Sequence, residues 1–205
     1  LASGVVPQIS AIFGTCGGGM AVASAMSDFI FMEEKNAKLF VNSPNAIDGN
    51  RVEKCDTSSA AFQSEETGLV DFTGSEEDIL SQIRALVTIL PANNEDDMSY
   101  SECTDDLNRV CSDLENYAGA TDLALAQISD DNFFLEVKKN YDKSMVTGFI
   151  RLNGTTVGCV ANRTAVYAAD GVKEDEFDAV LSANGAEKAA KFVSFCDAFN
   201  IPLLT

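Results

Sequence analysis

The glycine-rich stretch at residues 14–19, Gly-Thr-Cys-Gly-Gly-Gly, is the part of the chain best suited to chemistry. An apolar run at 5–13 precedes it and small residues at 21–27 follow it, an order that predicts a strand, a turn and the start of a helix. Glycine lets the backbone approach a ligand closely, and a helix start directs unpaired N–H groups into the turn. Such a turn can stabilise an oxyanion without any side chain, which matters because the chain contains no histidine.

The same glycines have a plainer interpretation, a tight turn that packs a helix against a sheet. The two common phosphate-binding patterns do not fit, because the spacing G-x-G-x-x-G is absent and no G-K-[ST] closes the loop. An oxyanion site and a structural turn therefore both remain open at this point.

Capping residues and periodicity predict the elements that must position this turn. The segment 75–90 is the clearest helix, with Ser75 and Asp78 forming a capping box and Pro91 after its end. Asn153-Gly154 predicts a type I′ hairpin between 145–152 and 155–161. Further strands are predicted at 5–13, 29–33, 38–42, 133–138 and 201–204, and further helices at 18–27, 46–53, 58–65, 105–117, 122–128 and after a cap at Asn184. Alternating strands and helices predict the α/β class.

Composition excludes several kinds of protein. A net charge of −18 argues against nucleic-acid binding, which needs lysine and arginine opposite phosphates. No apolar run approaches the roughly 20 residues that span a bilayer. The six cysteines include no C-x-x-C pair and no histidine accompanies them, so no metal site is predicted. We expect free thiols and a cytoplasmic location.

Three blocks in the same order along the chain carry a family resemblance. The blocks are residues 3–32, with SGVVPQISAI, the glycine stretch and SDFIFM; residues 146–162, with VTGFIRLNG and VGCVAN; and residues 188–202, with KAAKFV and FCDAFNIP. With these blocks the chain resembles the carboxyltransferase component of biotin-dependent acyl-CoA carboxylases and decarboxylases, of the propionyl-CoA carboxylase beta and methylmalonyl-CoA decarboxylase alpha type.

The resemblance implies a crotonase-like ββα superhelix that contains parts of two tandem domains. Residues 1–92 correspond to the later half of the N-domain, 93–118 to an acidic linker, and 119–205 to the early half of the C-domain. The chain is then a central piece of a longer enzyme, and we expect this piece to be inactive by itself.

The resemblance also implies a reaction, carboxyl transfer between carboxybiotin and the α-carbon of an acyl-CoA thioester. The cofactor supplies the base in this reaction, so the protein provides position and electrostatics. On the family pattern, Gly18 and Gly19 are the backbone donors to the enolate oxygen. The second oxyanion turn of the family has no counterpart in this sequence.

Further site residues come from the turn itself, from the basic residues that cluster soon after it and could face the coenzyme A phosphates, and from the family pattern. Cys16, Gly17, Lys38 and Arg51 are candidates for acyl-CoA binding, and Asn162 is a candidate on the biotin side. Gly17 stands where family members usually have alanine, which predicts a looser turn. Family members also have a glycine where this chain has Ser43.

The implied partners are a biotin carboxyl carrier protein and either a biotin carboxylase or a sodium-pumping decarboxylase membrane subunit, within a homo-oligomer. The biotin is expected on a separate carrier, and the coenzyme A thioester is the substrate. Two other hypotheses stay open. One is a non-catalytic scaffold with the same fold, and the other is a biotin-independent crotonase-type acyl-CoA enzyme that uses an acidic base, with Asp28 and Glu33 as candidates.

Overall fold

The structure is a computed structural model that describes residues 2–46, 52, 54–96, 101–112, 114–168 and 170–205. The strands are β1 (Ile9–Ile12), β2 (Thr15–Gly17), β3 (Phe29–Glu33), β4 (Lys38–Phe40), β5 (Phe72–Gly74), β6 (Leu135–Val137), β7 (Met145–Leu152), β8 (Thr155–Asn162), β9 (Ala165–Tyr167), β10 (Lys173–Glu176) and β11 (Leu203–Leu204). The α-helices are α1 (Gly19–Ala25), α2 (Ala60–Glu65), α3 (Glu76–Ile89), α4 (Thr121–Ile128) and α5 (Ala183–Ala198). Short 3-10 helices lie at Pro44–Ala46, Leu114–Tyr117 and Asp130–Asn132. The mixture confirms the α/β class.

The first part of the chain repeats a strand–strand–helix unit. The units are β1-β2-α1, then β3-β4-α2, then β5 followed by α3. The first strands pair in parallel in the order β1-β3-β5, and the second strands β2 and β4 pair in parallel in a separate sheet. Each of the first two units therefore adds one strand to each sheet, and β5 extends the first sheet, as in the ββα superhelix that the resemblance implied.

The later part is built around the predicted hairpin, which is confirmed. β7 and β8 pair in antiparallel register from Met145 opposite Asn162 to Leu152 opposite Thr155. Asn153 and Gly154 both have positive φ, 51° and 76°, as a type I′ turn requires. The Asp130 carboxylate accepts the N–H groups of both turn residues, at 3.0 and 2.7 Å. β6 extends this sheet beside β7, and β11 joins it in parallel beside β8.

The structure confirms one predicted helix cap and contradicts another. The capping box of α3 is confirmed, because the Ser75 hydroxyl accepts the Asp78 N–H at 3.2 Å and the Ser75 N–H donates to the Asp78 carboxylate. The predicted cap at Asn184 is wrong. Ser182 caps α5 instead, since its hydroxyl accepts the Gly185 N–H at 2.8 Å and the helix begins before Asn184.

The predicted helix at 105–117 is wrong within the described residues 105–112 and 114–117, where only the last four residues form a 3-10 helix. Tertiary contacts, not helical hydrogen bonds, hold this segment in place. The Arg109 guanidinium binds the Asp105 carboxylate at 2.8 Å and donates to the carbonyls of Gln127 and Ser129 at the end of α4. This side chain fixes residues 101–112 against the later part of the chain. The predicted helix at 46–53 lies mostly outside the described residues.

Aromatic side chains form the centre of the largest core. Phe29 of β3 meets Phe195 of α5 edge-on, with ring centroids 4.7 Å apart, and Phe149 of β7 lies 5.0 Å from Phe192. Such pairs contribute about 0.5–1.5 kcal/mol beyond their buried area. Because this core draws on residues before and after the proposed linker, α5 and β7 pack directly on the first sheet. The division into 1–92, 93–118 and 119–205 stays a prediction.

A buried ion pair also joins the first sheet to the later part of the chain. Lys138 Nζ lies 2.9 Å from Asp71 Oδ1, and the two side chains are only 6% and 4% exposed. The second carboxylate oxygen of Asp71 accepts the Ile30 N–H at 2.7 Å. The Lys138 N–H donates to the Asp71 carbonyl at 3.1 Å, and Lys138 Nζ also donates to the Gly68 carbonyl. These bonds satisfy both charges, which a buried pair requires.

A second buried lysine lies on the inner face of α5. Lys188 is 2% exposed, and its amine donates to the carbonyls of Tyr141 and Asp142 at 2.8 and 3.3 Å. Burial lowers its pKa to about 7. Sequence periodicity missed it because a lysine inside an apolar face has no local signature. Among the described residues, no helix has the length and apolar character needed to cross a bilayer.

We predict that removing one partner of the buried ion pair destabilises the protein strongly. Asp71→Asn and Lys138→Met each leave an uncompensated buried charge, which typically costs about 3–5 kcal/mol. Lys143→Met is the matched control, because its ion pair with Asp175 is 43% and 39% exposed and such pairs are worth about 0–1 kcal/mol. Denaturant unfolding measures all three, and equal small losses would contradict the prediction.

We also predict a pH dependence that comes from Lys188. Its amine binds a proton more weakly in the folded protein than in the unfolded chain, so unfolding takes up a proton between about pH 7 and 10.5. The unfolding free energy of the native protein, relative to Lys188→Met, should rise with pH across this window, by at most about 1.4 kcal/mol per pH unit. A difference that stays flat with pH would show that Lys188 keeps its ordinary pKa.

Candidate functional site

The sequence predicted a turn over the whole stretch 14–19, directly after the strand at 5–13, but Thr15–Gly17 form a further strand, β2, and the turn is confined to Gly18 between β2 and α1. Gly18 lies between the two elements with φ 60° and ψ −130°, a conformation that favours glycine strongly. α1 begins at the next residue, Gly19, which is exposed. A Cβ built on Gly18 or Gly19 would meet no atom within 4 Å. Space is therefore open on the side of these two residues where a side chain would stand.

The predicted donor pair needs a correction at Gly18. The Gly18 N–H donates to the Phe40 carbonyl at 3.0 Å, which continues the β2–β4 ladder by one bond. That hydrogen is therefore not available to a ligand. Within the described part of the chain, the N–H groups of Gly19 and Met20 make no hydrogen bond, as is usual in the first turn of a helix. These two groups are the pair that the turn can present.

Electrostatics favour an anion at this position over a cation. The N-terminus of a helix carries a partial positive charge. The first turn of α1 contains no acidic side chain to oppose it. The two exposed N–H groups can thus act together on one oxygen that gains negative charge, and the chain needs no titratable side chain to do so.

The space beside Gly17 is filled by a side chain of the neighbouring strand, and a looser turn than alanine would give stays a prediction. Gly17 is the last residue of β2, opposite Phe40 of β4. A Cβ at Gly17 would lie 3.0 Å from Cε2 of the Phe40 ring. The ring takes the place that an alanine methyl group would need, so the strand pair is filled at this point.

The other acyl-CoA candidates have different surroundings. Cys16 is half-buried in β2, with its Sγ 3.6 Å from the Ser24 hydroxyl of α1. Lys38 begins β4 and forms an ion pair with Asp56 at 2.5 Å. Burial would raise the pKa of the Asp56 carboxyl, but hydrogen bonds from Lys38 and Ser58 outweigh it and lower the pKa. The charge of Lys38 is thus already balanced. Arg51 lies outside the described residues.

Asn162 is the last residue of β8, at the far end of the hairpin sheet from the Asn153-Gly154 turn. Its side chain is exposed, and its carbonyl accepts a hydrogen bond from the Thr121 hydroxyl at the start of α4. The position leaves the amide accessible, while its assignment to the biotin side stays a prediction.

The two acidic candidates for a biotin-independent enzyme are both bound to backbone. The Glu33 carboxylate accepts the N–H groups of Asn36, Lys35 and Ala37, at 2.6, 3.0 and 3.2 Å, and the bond from Asn36 contributes most to lowering its pKa. Asp28 accepts the Gln8 N–H at 2.7 Å, and burial raises its pKa. Glu33 therefore closes a loop and is a poor base.

A polar cleft of about 470 Å³ lies apart from the glycine turn. Its lining includes the polar residues Asp71, Thr73, Gln82, Asp122, Asn132, Glu136, Lys139 and Asn140. The buried Arg163 guanidinium lies 3.0 Å from Glu136 and 3.6 Å from Asp122, and burial raises the pKa of the Glu136 carboxyl. Sequence reasoning gave none of these residues a role, because their partners are distant along the chain.

Two buried cysteines match their predicted role as small apolar residues. Cys159 of β8 and Cys196 of α5 are free and fully buried, and burial raises the pKa of each thiol to about 12. Across the described ranges, no three side chains of the metal-binding types form a cluster.

Comparison with known proteins matches the whole chain to one family. Residues 1–205 match the family described as "Carboxyl transferase domain". The chain is 37% identical to the "Propionyl-CoA carboxylase, carboxyltransferase subunit" of Haloferax mediterranei, over 100% of this chain and 40% of that protein. It is 35% identical to "Methylmalonyl-CoA decarboxylase subunit alpha" of Propionigenium modestum, over 99% of this chain and 40% of that protein. The chain thus spans about 40% of the length of the curated relatives it matches.

Solved structures agree on the fold. Transcarboxylase 12S, crystallised as a hexamer assembly with hydrolysed methylmalonyl-coenzyme A bound, superimposes with a TM-score of 0.83 at 33% identity, covering 98% of this chain and 39% of that one. A single-chain, multi-domain long-chain acyl-CoA carboxylase superimposes with a TM-score of 0.73 at 21% identity, covering 98% and 19%, and shows the fold alone. These likenesses confirm the crotonase-like α/β fold.

Proposed function

The chain belongs to the carboxyl transferase domain family, and we propose on that premise that its protein transfers a carboxyl group between carboxybiotin and the α-carbon of an acyl-CoA thioester. The observation that carries the proposal is the start of α1, where the N–H groups of Gly19 and Met20 have no partner in the described structure and the first helical turn holds no acidic side chain. Family membership supports the reaction class, and the unpaired N–H groups support the start of α1 as the place for the enolate oxygen.

The reaction divides its work between the cofactor and the chain. Carboxybiotin, when bound, supplies carbon dioxide and the base that removes the α-proton. The N–H groups of Gly19 and Met20 donate to the thioester oxygen as charge develops on it. Because these donors are fixed by α1 before the substrate arrives, they need little reorganisation during the reaction. The absence of histidine from the chain is compatible with this chemistry.

Coenzyme A presents a separate requirement, because its phosphates are negative and the chain carries a net charge of −18. Lys38 is neutralised by Asp56. We propose that other residues, including residues outside this chain, provide the cations for the phosphates. On the same basis we propose that the site is completed by parts of the protein outside these 205 residues.

We propose the partners from the names of two relatives. Two relatives are named as subunits, a carboxyltransferase subunit and a subunit alpha. This supports a homo-oligomer that works with a biotin carboxyl carrier protein, and with either a biotin carboxylase or a sodium-pumping membrane subunit. The biotin is then attached to the carrier. The cytoplasmic location stays a prediction.

We expect biotin-dependent loss of the carboxyl group from malonyl-CoA or methylmalonyl-CoA when the complete protein is mixed with free biotin. The 205-residue chain alone is the comparison, and it should show no turnover. Thioester loss is followed by chromatography, with and without biotin. Biotin-independent turnover would support the crotonase-type hypothesis, and no turnover with free or carrier-bound biotin by folded oligomer would support the scaffold hypothesis.

We predict that Gly19→Pro lowers the transfer rate about 10²- to 10³-fold, because it removes one N–H donor. Proline is well tolerated at the first position of a helix, so the fold should persist. Gly19→Ala is the matched control, since it keeps the N–H and its Cβ meets no atom within 4 Å. Rates are measured on variants of unchanged oligomer size. A near-native rate for Gly19→Pro would remove Gly19 from the donor pair.

A further inference from the structure

Phe40 touches the glycine turn in two independent ways. Its carbonyl accepts the Gly18 N–H at 3.0 Å, which anchors the turn to β4. Its ring lies against Gly17, where Cε2 and Cζ would be 3.0 and 3.4 Å from a Cβ. The first contact involves only the backbone of Phe40, so any substitution of this residue other than proline should keep it. The second belongs to the side chain alone.

The ring and Gly17 depend on each other for space. An alanine at Gly17 would push the ring by a few tenths of an ångström, because a contact of 3.0 Å is shorter than carbon atoms normally accept. The glycine at this position therefore determines how close the aromatic ring lies to β2. Since β2 leads directly into the turn, the ring packs against the chain two residues before the donor at Gly19 and three before the donor at Met20.

Exposed apolar side chains flank the turn and Phe40 along the chain. Met20 is 68% exposed, Val41 after Phe40 is 60% exposed, and Phe13 before β2 is 38% exposed. Phe40 itself is half-buried. Oxyanion donors next to apolar side chains suit a substrate whose polar oxygen is followed by a short alkyl group.

We propose that the Phe40 ring, seated against Gly17, is the wall that limits the size of the α-substituent on the acyl thioester. The inference rests on the proposed carboxyltransferase function and adds a specificity determinant to it. The position of the ring determines how much space is left beside the α-carbon of the enolate. The carbonyl of the same residue binds the Gly18 N–H and so fixes the turn that precedes the donors. One residue, Phe40, thus influences both the size of the acyl group that is accepted and the position of the N–H donors.

The test compares malonyl-CoA, methylmalonyl-CoA and ethylmalonyl-CoA as carboxyl donors to biotin in the complete protein. Phe40→Ala and Phe40→Leu keep the carbonyl and reduce the wall. Both should raise the kcat/KM ratio of ethylmalonyl-CoA to malonyl-CoA, and one methylene is typically worth about 10- to 200-fold. Gly17→Ala pushes the ring outward and should lower the same ratio. In Gly17→Ala/Phe40→Ala the contact is gone, so the alanine at 17 should no longer lower it.

Val87→Ala, an exposed apolar truncation on α3, is the control and should leave the ratio unchanged. Ratios that stay within twofold of the native value in both Phe40 variants and in Gly17→Ala, with malonyl-CoA still turned over, would overturn the role of the ring. Absence of biotin-dependent turnover in the native protein would instead overturn the proposed function. The two failures are therefore distinguishable.

Discussion

The buried ion pair between Asp71 and Lys138 is the interaction on which the rest of the structure depends. Its charges are almost fully withdrawn from water, so they are tolerated only while the surrounding hydrogen bonds are complete. One of those bonds holds Ile30 in β3, and another joins Lys138 to the backbone of Asp71. The pair thereby fixes the first sheet against the segment that leads from β6 to β7. The aromatic core forms around this contact and adds non-directional stability to it.

The glycine turn shows how strand pairing can prepare a site. The ladder between β2 and β4 extends to Gly18 and consumes its N–H, so the strand ends in a defined place. α1 begins immediately afterwards, which leaves the N–H groups of Gly19 and Met20 without partners in the described structure. The donors are thus positioned by backbone hydrogen bonds instead of by side-chain packing. A chain without histidine can stabilise an enolate in this way.

Several charged side chains hold separate segments of the chain together. Arg109 fixes residues 101–112 to the end of α4, Lys38 is paired with Asp56, and Arg163 is buried beside Glu136. Several of the 14 basic residues are therefore committed to internal partners, while the net charge remains −18. Under the proposed function, the cations for the phosphates of coenzyme A come from the remaining basic residues or from residues outside this chain.

Local patterns in the sequence determined the elements whose causes lie within a few residues. The capping box at Ser75, the Asn153-Gly154 hairpin and the strand–glycine–helix order at 14–19 were predictable, because each depends on neighbouring backbone groups. Family resemblance added the superhelix and the reaction class. Tertiary structure alone decided that Gly18 is paired, that Lys188 is buried and that Phe40 fills the space beside Gly17. Each of these facts depends on a partner that is distant along the chain, which no local pattern encodes.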